Sequence, residues 1–321
     1  MSYRAEKVKQ MRKKKRLKRL LLFAVTVIVA VLCVLSTLYP AASWKYYVSL
    51  PSVEKRGEGE LRMHFLDVGQ GDCTLVEFPD GKTMLVDAGP SYGDSVDYIL
   101  RYLNALKIKR LDYLVLTGEK SHRTGALLEL AAYKEIGYVY FPKSSNKVSD
   151  NYTAFSALVG RESIPSTQAK RYLEIKGEGE YSYRAVFLLP YSSLGSAEAG
   201  SSVLFIKWQG FGALLLGDMT ANEEELLLVD ETLGYFTELG VNLAEQTYLV
   251  RMANQGKATA YTQAFFEYLR PQATVISCLE SSSFSPDTWA ISSSSSVYRT
   301  DLLGTAVATF TETGLTVTTE K

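Results

Sequence analysis

Twenty consecutive residues, Leu20 to Tyr39, carry no charge. A helix of that length spans about 30 Å, the thickness of a bilayer's hydrocarbon core, so the run fits a membrane crossing. Residues 1–19 before it hold ten Lys or Arg against one acid, Glu6. The alternative is a cleaved signal peptide, for which Pro40-Ala41-Ala42-Ser43 offers a small-residue cleavage site, but its apolar stretch is usually only about 7–15 residues. Tyr39, Trp44, Tyr46 and Tyr47 supply an interfacial aromatic belt, which favours an uncleaved anchor. The basic flank places the N-terminus in the cytoplasm and the remaining domain outside. The expected organisation is therefore a basic tail (1–19), an anchor (20–42), a linker (43–60) and one extracytoplasmic domain (61–321).

The neutral total hides two opposite parts, because residues 20–321 hold 25 basic against 34 acidic residues. The basic tail faces anionic lipid. An acidic outer domain has no general attraction for DNA or RNA, so a nucleic-acid partner is not expected. Of the three cysteines, Cys33 lies in the apolar run. Cys73 and Cys278 fall in strands of opposite halves and read as small buried hydrophobes, with a disulfide the less common role.

From Leu61 the pattern turns strand-like. Leu61–Asp67, Cys73–Phe78 and Thr83–Asp87 are apolar, β-branched runs, the last two joined by the turn Pro79-Asp80-Gly81-Lys82. A helix follows at 94–106, a strand at 111–117, a helix at 125–134 and a strand at 138–141. Between Pro142 and Lys170 the chain loosens around a helix near 154–158. The second half repeats the logic with strands at 184–189, 203–208 and 213–216. A helix from Ala221 is capped by Thr220 with Glu223 three residues on. A strand at 247–251, a helix at 259–269 and strands at 273–279, 306–310 and 315–319 complete the domain. Ser281 to Ser296, with nine serines in sixteen residues, reads as a loop. Two successive halves of strands and helices predict an αββα sandwich.

Five segments in order sharpen this: Leu66-Asp67-Val68-Gly69-Gln70-Gly71-Asp72, Asp87-Ala88-Gly89, Leu111 to Thr117, Gly217-Asp218 and Tyr298-Arg299-Thr300-Asp301. Together they resemble the extracellular metallo-β-lactamase-like domain of ComEC-type competence proteins, over about residues 61–320. The resemblance implies a site where the two sheets meet and a pair of zinc or manganese ions held by His-x-His-x-Asp-His after the strand 111–117. Such a pair activates a water and clamps both oxygens of a phosphodiester displacement.

Here that motif reads Gly118, Lys120, His122 and Arg123. The family's later His-His-Gly reads Asn254-Gln255-Gly256, and its His-Pro reads Ser285-Pro286. Asp218 alone stands at the bridging-ligand position. Amides bind zinc poorly beside imidazole or thiolate. A pair of zinc ions in this family takes about four or five histidines, and this chain has two, His64 and His122. No metal cofactor is therefore expected. His64 reads as a packed histidine, while His122 with Asp218, and with Asp72 or Asp87, is the remaining route to a single ion. Asp67, Asp72 and Asp87 read as loop carboxylates that accept backbone N–H bonds.

Lys120, Arg123, Arg251 and Lys257 crowd the vacated positions. Two readings stand: compensation of a buried Asp218 charge, or an anion site for a phosphate-bearing ligand, helped by N–H groups at the helix start after Thr124. The candidate ligand-binding residues are Lys120, His122, Arg123, Asp218, Asn254 and Gln255. The leading function is a membrane-anchored binding or scaffold domain outside the cell, with an envelope protein as a possible partner. The alternative is a phosphodiesterase-like hydrolase with an atypical site. His122 is the one histidine near the site, so no Ser-His-Asp arrangement is expected, and metal-free hydrolysis would fall to Lys120, Glu119 or Asp218.

Overall fold

A computed structural model describes residues 2–38, 41–143, 148–189, 201–256, 262–278 and 295–321. The chain divides into two units, residues 1–49 and 50–321. In the first, α1 (Ser2–Leu38) is one continuous helix, and its stretch Lys7–Thr37 is long and apolar enough to cross a membrane. Thr26, Ser36 and Thr37 donate their hydroxyls to the carbonyls of Leu22, Cys33 and Val34. These three hydroxyls are thus satisfied within the helix, which lowers the cost of placing them in hydrocarbon.

In the second unit the expected sandwich is present. The first sheet holds β1 (Leu61–Phe65), β2 (Thr74–Glu77), β3 (Thr83–Val86), β4 (Arg110–Val115), β5 (Glu135–Phe141), β6 (Ser166–Gln168), β14 (Ala306–Thr311) and β15 (Gly314–Thr319). They run in the order β15-β14-β1-β2-β3-β4-β5-β6. The second sheet holds β7 (Glu174–Lys176), β8 (Tyr183–Leu189), β9 (Val203–Trp208), β10 (Phe211–Leu215), β11 (Thr247–Arg251), β12 (Ala273–Ile276) and β13 (Ser296–Arg299). Its order is β13-β12-β11-β10-β9-β8-β7.

The burial pattern explains why so few strands show a polar face. In β8, Tyr183, Ala185 and Phe187 join the core between the sheets, with Met63, Phe65, Val76 and Phe310 of the first sheet. Val186 and Leu188 point the other way, as the two-residue period of a strand requires. They meet Leu227 of α5 (Ala221–Leu227), Phe236 of α6 (Asp230–Glu238) and Phe265 and Phe266 of α8 (Gln263–Leu269). α7 (Leu243–Gln246) is a single turn before β11. On the first sheet, α2 (Ser95–Ala105), α3 (Leu127–Tyr133) and α4 (Asp150–Arg161) bury Ile99, Leu100, Leu103, Leu127, Leu130 and Phe155.

Local signals set several boundaries. Thr220 and Glu223 form the expected capping box of α5. Ser149 caps α4 by accepting from the Tyr152 N–H, making that helix longer than its apolar residues suggest. Residues 50–60, expected as linker, pack on the domain. Buried Arg62 donates to the Glu54 carbonyl at 2.7 Å, and Arg56 donates to the carbonyls of Gly57, Glu60 and Pro79. Residues 281–294 of the serine-rich stretch, with the Ser285-Pro286 position, and Lys257 lie outside the described residues, while Ser296, expected in the loop, begins β13. Cys73 and Cys278 are both buried free thiols.

Candidate functional site

Within each sheet the central neighbours are parallel, β3 with β4 and β10 with β11. Their carboxyl ends therefore open at one place, the usual location of sites in such sheets. Asp87 follows β3, residues 117–126 follow β4, Asp218 follows β10, and residues 252–256 follow β11, whose last residue is Arg251. Asp72 enters from the β1–β2 loop. Its N–H bonds the His122 carbonyl and its carbonyl accepts from Gly89.

Two glycines permit this convergence. A Cβ on Gly217 would come within 2.6 Å of Ser201 Oγ, the hydroxyl that accepts the Asp218 N–H at 2.8 Å. A Cβ on Gly125 would strike the Pro90 carbonyl carbon at 2.0 Å. Here Gly125 N–H and Ala126 N–H bond the carbonyls of Gly89 and Ala88.

Arg123 stands at the centre with no exposed surface. Its Nη1 is 2.5 Å from Asp87 Oδ2 and 2.7 Å from Thr117 Oγ1. Its Nη2 is 2.5 Å from Asp72 Oδ2 and 2.6 Å from Asp218 Oδ1. These are charge-assisted distances, and one guanidinium ties three carboxylates from both sheets. Buried Arg251 pairs with the other oxygen of Asp72. Lys120 Nζ lies 3.2 Å from Asp218 Oδ2, and His122 Nε2 lies 3.4 Å from Asp218 Oδ1. Three carboxylates thus face two buried guanidiniums and one half-buried ammonium, a balanced cluster.

Burial raises the pKa of both Asp87 and Asp218, but their cationic neighbours differ. For Asp87 burial prevails over Arg123 and Thr117, and its carboxyl is shifted up. For Asp218 the combined pull of Arg123, His122 and Lys120 prevails, and its carboxyl is held well below the usual value near 3.8. Asp218 therefore contributes stability that is fully present above pH 3.8 and is lost as acid titrates its lower folded value, whereas Asp87 acts with the opposite sign. Urea unfolding of Asp218→Asn should lose the acid-side fall in stability seen for the parent; an unchanged pH profile would contradict this charge assignment.

Asn254 and Gln255 both adopt left-handed backbone, with φ of 47° and 52°, a conformation that costs a non-glycine residue about 1–3 kcal/mol. Neighbouring bonds hold them there. Asn254 N–H reaches the Gly217 carbonyl at 3.0 Å, and its side-chain amide reaches the carbonyls of Asp218 and Met219. The Gln255 amide donates to Asp72 Oδ2 at 3.1 Å. The Gln255 amide thus orients a carboxylate, and the Asn254 amide ties the segment to the backbone after β10.

The six sequence-chosen site residues all come together, although Arg123 is a buried hub and Asn254 bonds backbone alone. His64 is buried, between Glu77 at 2.8 Å and the Tyr102 hydroxyl at 2.9 Å, as a packed histidine should be. Two expectations need correction. Asp72 spends its carboxylate on Arg123, Arg251 and Gln255 rather than on backbone N–H groups. The N–H groups after Thr124 are taken by carbonyls, and the helix that follows begins only at Leu127. Sequence reasoning missed Thr117 and Ser201 as members of the site, while Asp72 and Asp87 were named only as possible third donors beside His122 and Asp218. Asp72 was legible in the Gly-Gln-Gly-Asp turn before a strand.

The expectation that no metal ligands remain is also overturned. Asp72, His122 and Asp218 each offer a ligand atom, all within 4.8 Å of one another. An ion does not fit among these donors as they stand, because Arg123 Nη2 already contacts two of the three carboxylate and imidazole groups. The donor set is present and its centre is taken by a guanidinium.

Residues 66–190 match the Metallo-beta-lactamase superfamily. The fold is the two-sheet α/β sandwich of that superfamily. No curated protein matches by sequence. Among solved structures, CmlA, a diiron beta-hydroxylase from Streptomyces venezuelae, shares 14% identity over 79% of this chain and 54% of its own, with TM-score 0.47. The chain thus spans about half the length of that protein. The metallo-beta-lactamase fold protein YhfI from Bacillus subtilis shares 11% identity over 74% of this chain and 96% of its own, TM-score 0.47. A HARLDQ-motif metallo-beta-lactamase from Cronobacter sakazakii shares 14% identity over 60% and 77%, TM-score 0.36.

Proposed function

We propose that this chain is a membrane-anchored binding or scaffold domain of metallo-β-lactamase fold, held outside the cell by residues 20–39 and allied to ComEC-type domains. The observation that supports this is Arg123, fully buried and ion-paired to Asp72, Asp87 and Asp218. A water-activating ion needs open coordination positions. In this site the carboxylates are spent on guanidiniums and amides, a network suited to rigidity. Lys120 and His122 keep 34% and 23% of their side-chain surface exposed at its rim. They are the groups through which an anionic ligand or an envelope protein partner would be met.

The test uses the full chain in detergent, incubated with bis(p-nitrophenyl) phosphate and added zinc or manganese. No turnover above buffer is expected. Metal-dependent turnover abolished by Asp218→Ala would overturn the reading. It would favour the alternative, a one-ion hydrolase using Asp72, His122 and Asp218, whose proximity is the specific point in its favour.

A further inference from the structure

Where the fold family implies metal ions, this chain places a side chain. We propose that the Arg123 guanidinium is the resident cation of the domain, and that it closes a dormant single-ion site whose donors are Asp72, His122 and Asp218. The proposal rests on the non-hydrolytic reading above and adds what governs the site: one residue decides whether it accepts a divalent ion.

The geometry points to this in three ways. First, Arg123 Nη2 makes contacts of 2.5 and 2.6 Å to the facing oxygens of Asp72 and Asp218, and His122 Nε2 approaches the same Asp218 oxygen at 3.4 Å. The guanidinium thus touches the atoms that an ion would need. Second, Arg123 is fixed on its backbone as well. Its carbonyl accepts from Ala88 N–H at 2.7 Å, and its N–H bonds the Lys120 carbonyl at 3.0 Å. The side chain has no exposed surface, so the cation does not leave by a simple rotamer change at the surface.

Third, the charge count sets the outcome of its removal. Without Arg123 the buried carboxylates of Asp72, Asp87 and Asp218 face Arg251 as their one fully buried cation among the described residues, with Lys120 half-buried at the rim. Uncompensated buried charge is costly, and a divalent cation relieves it. Two carboxylates and one imidazole form a mixed oxygen and nitrogen set, compatible with zinc or manganese. His122, partly exposed at the rim, gives the ion a route in.

The experiment compares the full chain with Arg123→Ala, both in detergent, both dialysed against zinc and washed. Metal per chain is then measured, and thermal unfolding is followed with zinc and with EDTA. The parent is expected to retain less than about a tenth of a zinc per chain, with a midpoint that neither zinc nor EDTA moves, whereas Arg123→Ala takes up about one zinc and unfolds later with zinc than with EDTA. Adding His122→Ala to Arg123→Ala should remove the uptake.

Near-stoichiometric zinc in the parent overturns the proposal, as does uptake by Arg123→Ala no greater than the parent's. If Arg123→Ala is insoluble with and without zinc, Arg123→Ser is measured in its place by the same criteria. Hydrolysis by the parent in the presence of EDTA would sink the binding-domain reading and leave this proposal standing. Failure of Arg123→Ala to gain zinc would do the reverse.

Discussion

Arg123→Met should destabilise the domain of residues 50–321 by about 3–5 kcal/mol, the cost of breaking a buried ion pair by removing one partner. In a domain of this size that corresponds to a fall in melting temperature of about 10 °C. Methionine retains much of the aliphatic volume, so the loss comes from charge. Asp87, Asp72 and Asp218 lose their shared donor at once. Circular dichroism melts in EDTA measure the effect, and a fall of a degree or two would show that the three contacts contribute little.

Asp72→Ala should cost a similar amount, about 3–5 kcal/mol, for a different reason. Asp72 is the partner that the structure gives to Arg251, which is almost completely buried at the end of β11. Removing it strands a guanidinium, while Arg123 keeps Asp87 and Asp218. The double variant Asp72→Ala with Arg251→Met should therefore recover most of the loss, because deleting both members of a buried pair is often neutral. Urea denaturation of the two single variants and the double gives the coupling directly. Additive losses would refute the pairing.

Much of the scaffold was legible because its strands obey simple rules. β8 to β12 are nearly continuous apolar runs, and both faces are in fact buried, as strands covered on both sides require. Thr220 and Glu223 marked the start of α5 by capping chemistry. What escaped is short or lacks a pattern. β6 and β7 are three-residue strands, β7 at one edge of its sheet and β6 at one edge of the other, too short for alternation to register. α6 contains Gly234 between Leu233 and Tyr235, a weak helix signal.

The candidate site was legible in its membership, and the reading of Lys120 and Arg123 as compensating a buried Asp218 charge is borne out by their ion pairs to it, at 3.2 and 2.6 Å. The full burial of Arg123 was not legible, since arginine is rarely buried without partners. The partners lie 36, 51 and 95 residues away at Asp87, Asp72 and Asp218, so the reason for burying Arg123 is visible only once the sheets are closed. For the same cause the missing histidines suggested an emptied site, when the carboxylates had kept their places around a different cation.

A cation borne on the polypeptide behaves unlike one borrowed from solution. It arrives with the chain, in fixed proportion to it, and cannot be diluted, exchanged or stripped by a competitor. With Arg123 as the resident cation that we propose, folding of this domain would be independent of the zinc or manganese supply of the compartment in which it emerges. The tie between the two sheets is then set when the protein is made.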